Sequence, residues 1–279
     1  MAGHWTDCGW CVKHGAPLRW LPRPRQMPPA AGGDRVADDG WRVHEVAGAV
    51  AIRVVRDMPE LPAAIEAEVA ALWDAAQRRA GGRLFNGRVF SADLITPVRI
   101  DGHWTEFRRS VAQMQRPALF AALGVRSLAI NGVIAGTDFV VFGRRPDDAV
   151  YQPGEWQLPP AGSIDPSAED AAGRIDPLRQ VHAELAEELG MPADSVAGAR
   201  ALAIVEHPGS HVCDLGMALR TDWTEAAIRA AHAGHGNGEY TALEMVPHAG
   251  LTAFLARHAG RVTGQAPAFL ARAGVLRDT

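Results

Sequence analysis

The segment PLRQVHAELAEELG, residues 177–190, constrains the fold more than any other part of the chain. Val181, Leu185 and Leu189 recur every four residues and would form one apolar stripe on a helix. Proline suits the first turn of a helix and glycine its end, so the sequence predicts a helix over 177–189. A helix with one apolar stripe must pack that face against another layer of the protein.

Three glutamates lie on a second face of the same predicted helix. Glu184, Glu187 and Glu188 stand at positions i, i+3 and i+4, so their carboxylates project together. Such like charges destabilise a helix by roughly 0.2–0.5 kcal/mol per pair unless a cation neutralises them. Hard divalent cations take oxygen ligands. The spacing therefore indicates either a Mg²⁺ or Mn²⁺ site or an ordinary solvated acidic face.

Charge and hydropathy exclude several classes of function. The chain has 279 residues and a net charge of −4, which lacks the basic footprint of a non-specific nucleic-acid binder. Its longest apolar runs fall short of the about 20 residues that span a bilayer. The first residues contain no apolar stretch typical of a secretion signal, and cysteines are few. We therefore expect a cytoplasmic protein with neither nucleic-acid nor membrane partners.

Composition and hydrophobic periodicity along the chain predict four segments in an α/β arrangement. They are a Pro/Arg-rich N-terminal arm (1–44), an N-terminal α/β subdomain (45–122), a main domain (123–260) and a C-terminal tail (261–279). The subdomain should hold a helix over 61–79 and two strands joined at an Asn86-Gly87 turn. Further strands are predicted near 198–206, 211–220 and 241–246, with helices after Trp223 and over 249–258.

The glutamate helix lies within a longer pattern that resembles the Nudix hydrolase family. The box of that family reads G-x5-E-x7-R-E-U-x-E-E-x-G-U, where U is a bulky aliphatic residue. A strand-like run ending in a glycine loop, WQLPPAG, precedes the helix, as the family places it. The second half of the box matches at Glu184, Leu185, Glu187, Glu188, Gly190 and Met191.

The first half of the box departs from the family pattern. Six residues separate Gly162 from Glu169, and thirteen separate Glu169 from the position of the box arginine, so the loop carries an insertion. The box arginine is replaced by Ala183. Arg174 and Arg179 are candidates to take its place, and the substitution bears on activity more than on fold.

Segments outside the box resemble the UDP-glucose diphosphatase branch of the family, which has an N-terminal extension. They are LFNGRVF, LGV, DFVVFGRR and PGEWQLPPAG, and the resemblance spans roughly residues 84–250. It implies a Nudix α/β/α sandwich with a mixed sheet, preceded by a small α/β subdomain. It also implies metal-dependent cleavage of a nucleotide sugar such as UDP-glucose to a nucleoside monophosphate and a sugar phosphate. The alternatives are hydrolysis of ADP-ribose, NADH or coenzyme A, or a Nudix-fold sensor with little hydrolysis.

The same resemblance implies roles for individual residues. Mg²⁺ or Mn²⁺ would be held by Glu184, Glu187 and Glu188, and the general base would be Glu188 or Glu239, with Glu206 as runner-up. The residues expected to bind a small nucleotide substrate are Arg144, Arg145, Trp156 and Gly162. A homodimer is one possible assembly.

Some further groups of residues could bind a metal or a substrate, but each has a simpler structural interpretation. Cys8 and Cys11, flanked by His4 and His14, could hold zinc, although an unstructured tail is the simpler interpretation. Aromatic residues could stack on a substrate but are more often core: Phe85, Trp104 and Tyr240. Histidines in the region opposite the box could bind a metal or donate protons, although plain loop residues are the safer interpretation: His207, His211, His232 and His235. Cys213 should be a small buried hydrophobe.

Overall fold

The computed structural model describes residues 40–149 and 151–276, which form two β-sheets and surrounding helices. The strands are β1 (Arg42–Glu45), β2 (Ala51–Val54), β3 (Arg88–Ile95), β4 (Arg99–Glu106), β5 (Leu128–Ala135), β6 (Phe139–Arg144), β7 (Trp156–Gln157), β8 (Ala161–Ser163), β9 (Arg174–Ile175), β10 (Ala197–Glu206), β11 (Cys213–Arg220) and β12 (Ala242–Pro247). The α-helices are α1 (Ala63–Arg79), α2 (Phe107–Gln115), α3 (Phe120–Leu123), α4 (Pro177–Leu189), α5 (Glu225–His235), α6 (Leu251–Arg257) and α7 (Ala266–Ala273).

The larger sheet is mixed and splits near its centre. Its strands follow the order β1-β10-β11-β5-β6-β12, with β11 and β5 parallel and the other neighbours antiparallel. β5 and β6 pair only where Ala135 meets Val140. Beyond that point β8 pairs with β5 and β7 pairs with β6. The split brings the short strands before α4 into the middle of the sheet.

Helices cover both faces of this sheet. Successive side chains of a strand point to opposite faces, so a strand with apolar residues at successive positions presents two apolar faces that must be covered. Along β6, Phe139 and Val141 join one apolar cluster, whereas Val140 and Phe142 join the other. The first cluster takes in the stripe of α4, namely Val181, Leu185 and Leu189. The second takes in residues of α6 and α7, namely Leu251, Phe254, Ala266, Phe269 and Leu270. The predicted α/β/α sandwich with a mixed sheet is therefore confirmed.

The smaller sheet has the order β3-β4-β2-β9 and explains the insertion in the box loop. The strand β9 lies inside that loop and pairs with β2 of the N-terminal segment. Trp104 on β4 also donates a hydrogen bond from Nε1 to Oε2 of Glu169, at 2.7 Å. The inserted residues thus join the loop before α4 to the smaller sheet.

Most of the predicted elements are confirmed, and one turn prediction is wrong. The helices over 61–79 and 177–189 occur as α1 and α4, and the strand near 241–246 occurs as β12. Asn86-Gly87 is not the turn between β3 and β4, which lies at residues 96–98. Instead, the Asn86 side chain donates to Glu106 and accepts from the amide of Arg108.

The domain boundaries stay predictions, although the structure places elements near two of them. β1 begins at Arg42, within the predicted arm of 1–44, and pairs with β10 in the larger sheet. The segment 261–279, expected to be a tail, contains α7, whose Phe269 and Leu270 are fully buried. The arm up to residue 39 and the Cys8 and Cys11 pair lie outside the described residues. None of the helices within 40–149 and 151–276 is both long and apolar enough to cross a membrane.

Candidate active site

The helix α4 presents its glutamates because its two ends are well defined. The Asp176 side chain caps the helix by accepting a hydrogen bond from the amide of Leu178 at 3.0 Å, and Pro177 occupies the first position. Gly190 ends the helix in the left-handed conformation, with φ of 65°. Glu184 and Glu188 are buried on the side facing β8, and Glu187 is half-buried.

Glu184 is the most enclosed carboxylate of the site. Its Oε1 accepts a hydrogen bond of 2.8 Å from Nε2 of Gln180, one helical turn earlier. Its Oε2 is buried and has no hydrogen-bond partner among the described residues. Burial raises the pKa of Glu184 well above its usual range, and the charges of Glu187 and Asp165 add to that effect.

Gly162 on β8 provides the space that the Glu184 carboxylate occupies. A Cβ at this position would lie 2.0 Å from Oε1 of Glu184. The predicted substrate-binding role of Gly162 is untested, but its proximity to the carboxylate requires a glycine. The box glycine and the first box-helix glutamate are therefore in direct contact.

Glu188 is held by the backbone of β8 and by a tyrosine from the far side of the site. Its Oε2 accepts hydrogen bonds from the amide of Ala161 at 2.9 Å and from the hydroxyl of Tyr240 at 3.0 Å. Burial raises the pKa of Glu188 well above its usual range, and the nearby charges of Glu184 and Glu239 raise it further. Tyr240 is thus a buried hydrogen-bond donor to the site.

Arg145 and Glu239, which the sequence suggested separately, form an ion pair. Nη1 of Arg145 donates to Oε1 of Glu239 at 2.6 Å and to Oε1 of Gln157 at 2.9 Å. Burial raises the pKa of Glu239, while the charge of Arg145 opposes that rise. The loop bearing Glu239 is fixed on α4, because the amide of Asn237 donates to the carbonyl of Glu187 at 2.9 Å.

The donor atoms of this site suit a hard divalent cation. All are carboxylate oxygens, the negative charges raise one another's pKa, and Glu184 Oε2 is buried without a hydrogen-bond partner among the described residues. Within residues 40–149 and 151–276, no group of three or more His, Cys, Asp or Glu side chains is arranged as a ready-made metal site. The donors fit the ion by their chemistry, and their side chains would have to converge on it.

Other predicted residues lie in different surroundings. Arg144 is partly exposed and pairs with Asp147 at 2.6 Å. Trp156, expected to bind substrate, packs in the second apolar cluster with its ring centroid 5.6 Å from that of Phe254, because its strand side faces α6. Arg174 bonds to Asp170 within the inserted loop, so it does not replace the box arginine.

Glu206, the runner-up for the general base, belongs to a separate network. Burial by itself would raise its pKa, but hydrogen bonds from His211 at 2.7 Å and His44 at 2.9 Å hold the pKa well below its usual range. Such a carboxylate is a poor proton acceptor near neutral pH. His207 instead packs edge-on against Trp41, and His232 and His235 lie in α5.

The remaining aromatic and cysteine predictions have simple outcomes. Trp104 is buried, as the core interpretation anticipated, whereas Phe85 is exposed. Cys213 is a buried free thiol, which confirms the prediction of a small buried hydrophobe.

A polar pocket adjoins the carboxylate site on the side of β5 and β11. It is open to solvent, with about 300 Å³ of free space that includes part of the solvent at its mouth, and it shares Ala161, Gly162 and Arg145 with the carboxylate site. Asn131 on β5 and Asp214 on β11 form part of its wall, and no sequence pattern indicated either residue. Gln180 was also missed, although its position four residues before Glu184 could have indicated the contact.

Comparisons with known proteins give remote structural likenesses. No family model matches the chain, and no curated protein matches it either. A MutT protein from Methanosarcina mazei is 15% identical, with a TM-score of 0.35 over 53% of this chain and 92% of that one. An ADP-ribose pyrophosphatase from Streptococcus suis is 19% identical, with a TM-score of 0.31 over 45% of this chain and 76% of that one.

A Nudix family hydrolase from Clostridium perfringens is also similar, at 13% identity and a TM-score of 0.34 over 54% of this chain and 95% of that one.

Proposed function

We propose that this protein is a Nudix-type hydrolase that cleaves the diphosphate of a nucleoside diphosphate linked to another moiety. The observation that carries the proposal is the pair of buried glutamates, Glu184 and Glu188, held one helical turn apart beside the box glycine Gly162. Burying two carboxylates side by side costs free energy, which a structural role alone would not repay. The specific substrate class is a nucleotide sugar such as UDP-glucose.

Glu184, Glu187 and Glu188 would hold Mg²⁺ or Mn²⁺. Such an ion, when bound, neutralises diphosphate oxygens and lowers the pKa of water. The protein's own part is to keep these oxygens in place: Gln180 fixes Glu184, and Tyr240 and the amide of Ala161 fix Glu188. The amide of Gln180 thereby gives Glu184 a hydrogen-bond donor, which Ala183, in place of the box arginine, cannot provide.

Glu239 is the proposed general base. Burial raises its pKa toward the working range of a proton acceptor, and Arg145 keeps its carboxylate oriented. The Arg145 guanidinium would also attract the negative charge of a bound diphosphate. Arg145 directly follows β6, and Glu239 lies in the loop anchored on α4 through the carbonyl of Glu187.

The test is turnover across a panel of diphosphates. UDP-glucose, other nucleotide sugars, ADP-ribose, NADH and coenzyme A are incubated with Mg²⁺, Mn²⁺ or chelator, and released monophosphates are converted to phosphate by added phosphatase. We expect metal-dependent cleavage strongest with nucleotide sugars. Cleavage of ADP-ribose alone would change the proposed substrate from a nucleotide sugar such as UDP-glucose to ADP-ribose. Cleavage of none of the compounds would favour a nucleotide sensor.

The substitution Glu187→Gln tests the role of the helix. It removes one proposed oxygen charge while conserving size, so turnover should fall by about 100-fold or more with the fold retained. Glu60→Gln, at an exposed glutamate remote from the box, is the matched control and should keep wild-type turnover. Unchanged turnover of the Glu187 variant would remove α4 from the reaction.

A further inference from the structure

The pocket beside the carboxylate site contains a directed chain of buried hydrogen bonds. Nε2 of Gln265 donates to Oδ1 of Asn131 at 3.5 Å, and Nδ2 of Asn131 donates to Oδ1 of Asp214 at 2.8 Å. The second hydrogen of the Asn131 amide is used by the carbonyl of Ile130, at 3.0 Å. The Asn131 amide nitrogen therefore has no donor left for a ligand.

Two buried oxygen atoms of these hydrogen-bonded residues remain as acceptors. Oδ2 of Asp214 and Oε1 of Gln265 are buried and have no hydrogen-bond partner among the described residues. Asp214 is 4% exposed and Gln265 1% exposed, and both line the pocket. A buried polar atom without a partner costs roughly 1–3 kcal/mol, more when it is charged. Two such acceptors in one pocket indicate that a donor-bearing group belongs between them.

Charge excludes the phosphate end of a substrate from this place. A phosphoryl group offers acceptor oxygens and negative charge, so Asp214 would repel it. Arg145, by contrast, lies where the pocket meets the glutamates and is the cation that suits phosphate. A diphosphate held near Arg145 therefore directs its uncharged end toward Asp214.

We propose that Asp214 and Gln265 form a specificity subsite that accepts hydrogen bonds from the uncharged end of the substrate. This inference rests on the proposed function, since it names the part of a nucleotide sugar that the pocket takes. The ligand chemistry is two or more adjacent hydrogen-bond donors: the N–H and amino groups of a nucleobase, or the hydroxyl groups of a sugar. Asn131 fixes the carboxylate so that Oδ2 faces the ligand.

The experiment measures binding by calorimetry without turnover, in the presence of chelator. It is run at about pH 8.5, where the Asp214 carboxyl is ionised although burial raises its pKa to about 7. The probes are the nucleoside monophosphates UMP, CMP, AMP and GMP, glucose 1-phosphate, and inorganic phosphate. We expect Asp214→Asn to weaken the preferred probe by about 10- to 100-fold, the usual effect of a hydrogen bond to a charged group, and to leave phosphate binding unchanged. A loss confined to monophosphates assigns the subsite to a base, and a loss confined to glucose 1-phosphate assigns it to a sugar.

The matched control is Asp101→Asn. Asp101 on β4 also has a buried carboxylate oxygen without a hydrogen-bond partner among the described residues, but it lies in the smaller sheet. This variant should bind every probe like wild type. Gln265→Met, which keeps the shape and removes the acceptor, is the second test and should weaken the same probe by about fivefold.

Three outcomes would overturn the subsite: wild-type protein that binds no probe but phosphate, an Asp214 variant that binds all probes normally, or equal losses for phosphate and the preferred probe. Because no hydrolysis is measured, these outcomes are independent of the turnover panel. Binding that depends on Asp214 in a protein without turnover would contradict the hydrolase and keep the subsite.

Discussion

At Gly162 the absence of a side chain decides where the carboxylate of Glu184, a proposed metal ligand, can lie. An added Cβ would approach Oε1 of Glu184 to 2.0 Å, so an alanine must displace the glutamate or the strand. We expect Gly162→Ala to lower turnover by about 100-fold, the effect of misplacing a reacting group by about 1 Å, and to destabilise the fold by about 1–3 kcal/mol through overpacking. Steady-state kinetics and urea unfolding measure the two effects.

Gly234→Ala is the control for that substitution. Gly234 lies in α5, and nothing stands within 4 Å of the position that its Cβ would take. The alanine should keep wild-type turnover and stabilise the helix by up to about 1 kcal/mol. Wild-type turnover in the Gly162 variant as well would mean that the position of Glu184 does not matter to the reaction.

Single residues were predictable where their spacing carried the signal. The i, i+3, i+4 glutamates are local, so the helix and its acidic face could be inferred directly. The pairing of Arg145 with Glu239 joins residues 94 positions apart, and no local pattern encodes it. Asp214 was missed for the same reason, since its partner Asn131 lies on a different strand 83 positions away.

Among the elements, α4 and α1 were predicted well because their start and stop signals lie within the segment. The strand β9 has only two residues and forms by pairing with β2, so the inserted loop contains no periodic pattern to predict it. The prediction of a turn at Asn86-Gly87 was wrong because the Asn86 side chain instead donates a hydrogen bond to Glu106, twenty residues away. Tertiary contacts thus decided these elements more than local preference did.

The inserted loop should depend on Trp104 for its order. Trp104→Phe keeps an aromatic ring in the core but removes the donor to Glu169, at a cost of about 1 kcal/mol. We expect faster hydrogen exchange in residues 169–176 and unchanged exchange in α4, measured by mass spectrometry. Uniformly faster exchange over the whole chain would instead show that Trp104 acts only through global stability.

At the scale of the whole molecule, the two sheets are tied together at the box loop. β1 contributes an edge strand to the larger sheet, while β9, from the loop that precedes the glutamate helix, contributes one to the smaller sheet. The N-terminal segment and the main segment therefore exchange strands in both directions. A substitution in the smaller sheet can consequently alter the position of the glutamate helix through the inserted loop. Dividing the sequence into consecutive segments does not predict this coupling.

The stability of the whole fold should depend on pH through Asp214. Burial raises the pKa of Asp214 to about 7, from an ordinary value of 3.8. Between these values the folded state holds a proton that the unfolded state has lost, so the free energy of unfolding falls as pH rises through this window. The asparagine in Asp214→Asn does not ionise, and it retains an oxygen for the bond from Asn131.

We therefore expect the Asp214→Asn variant to gain stability relative to wild type as pH rises from 4 to 7. The relative gain should reach at most about 4 kcal/mol and then level off, because each pKa unit corresponds to about 1.4 kcal/mol. Urea unfolding of both proteins at pH 4.5, 6 and 8 measures the difference, in which the titration of all shared groups cancels. A difference that is constant over this range would show that Asp214 ionises in the folded state as it does in the unfolded one.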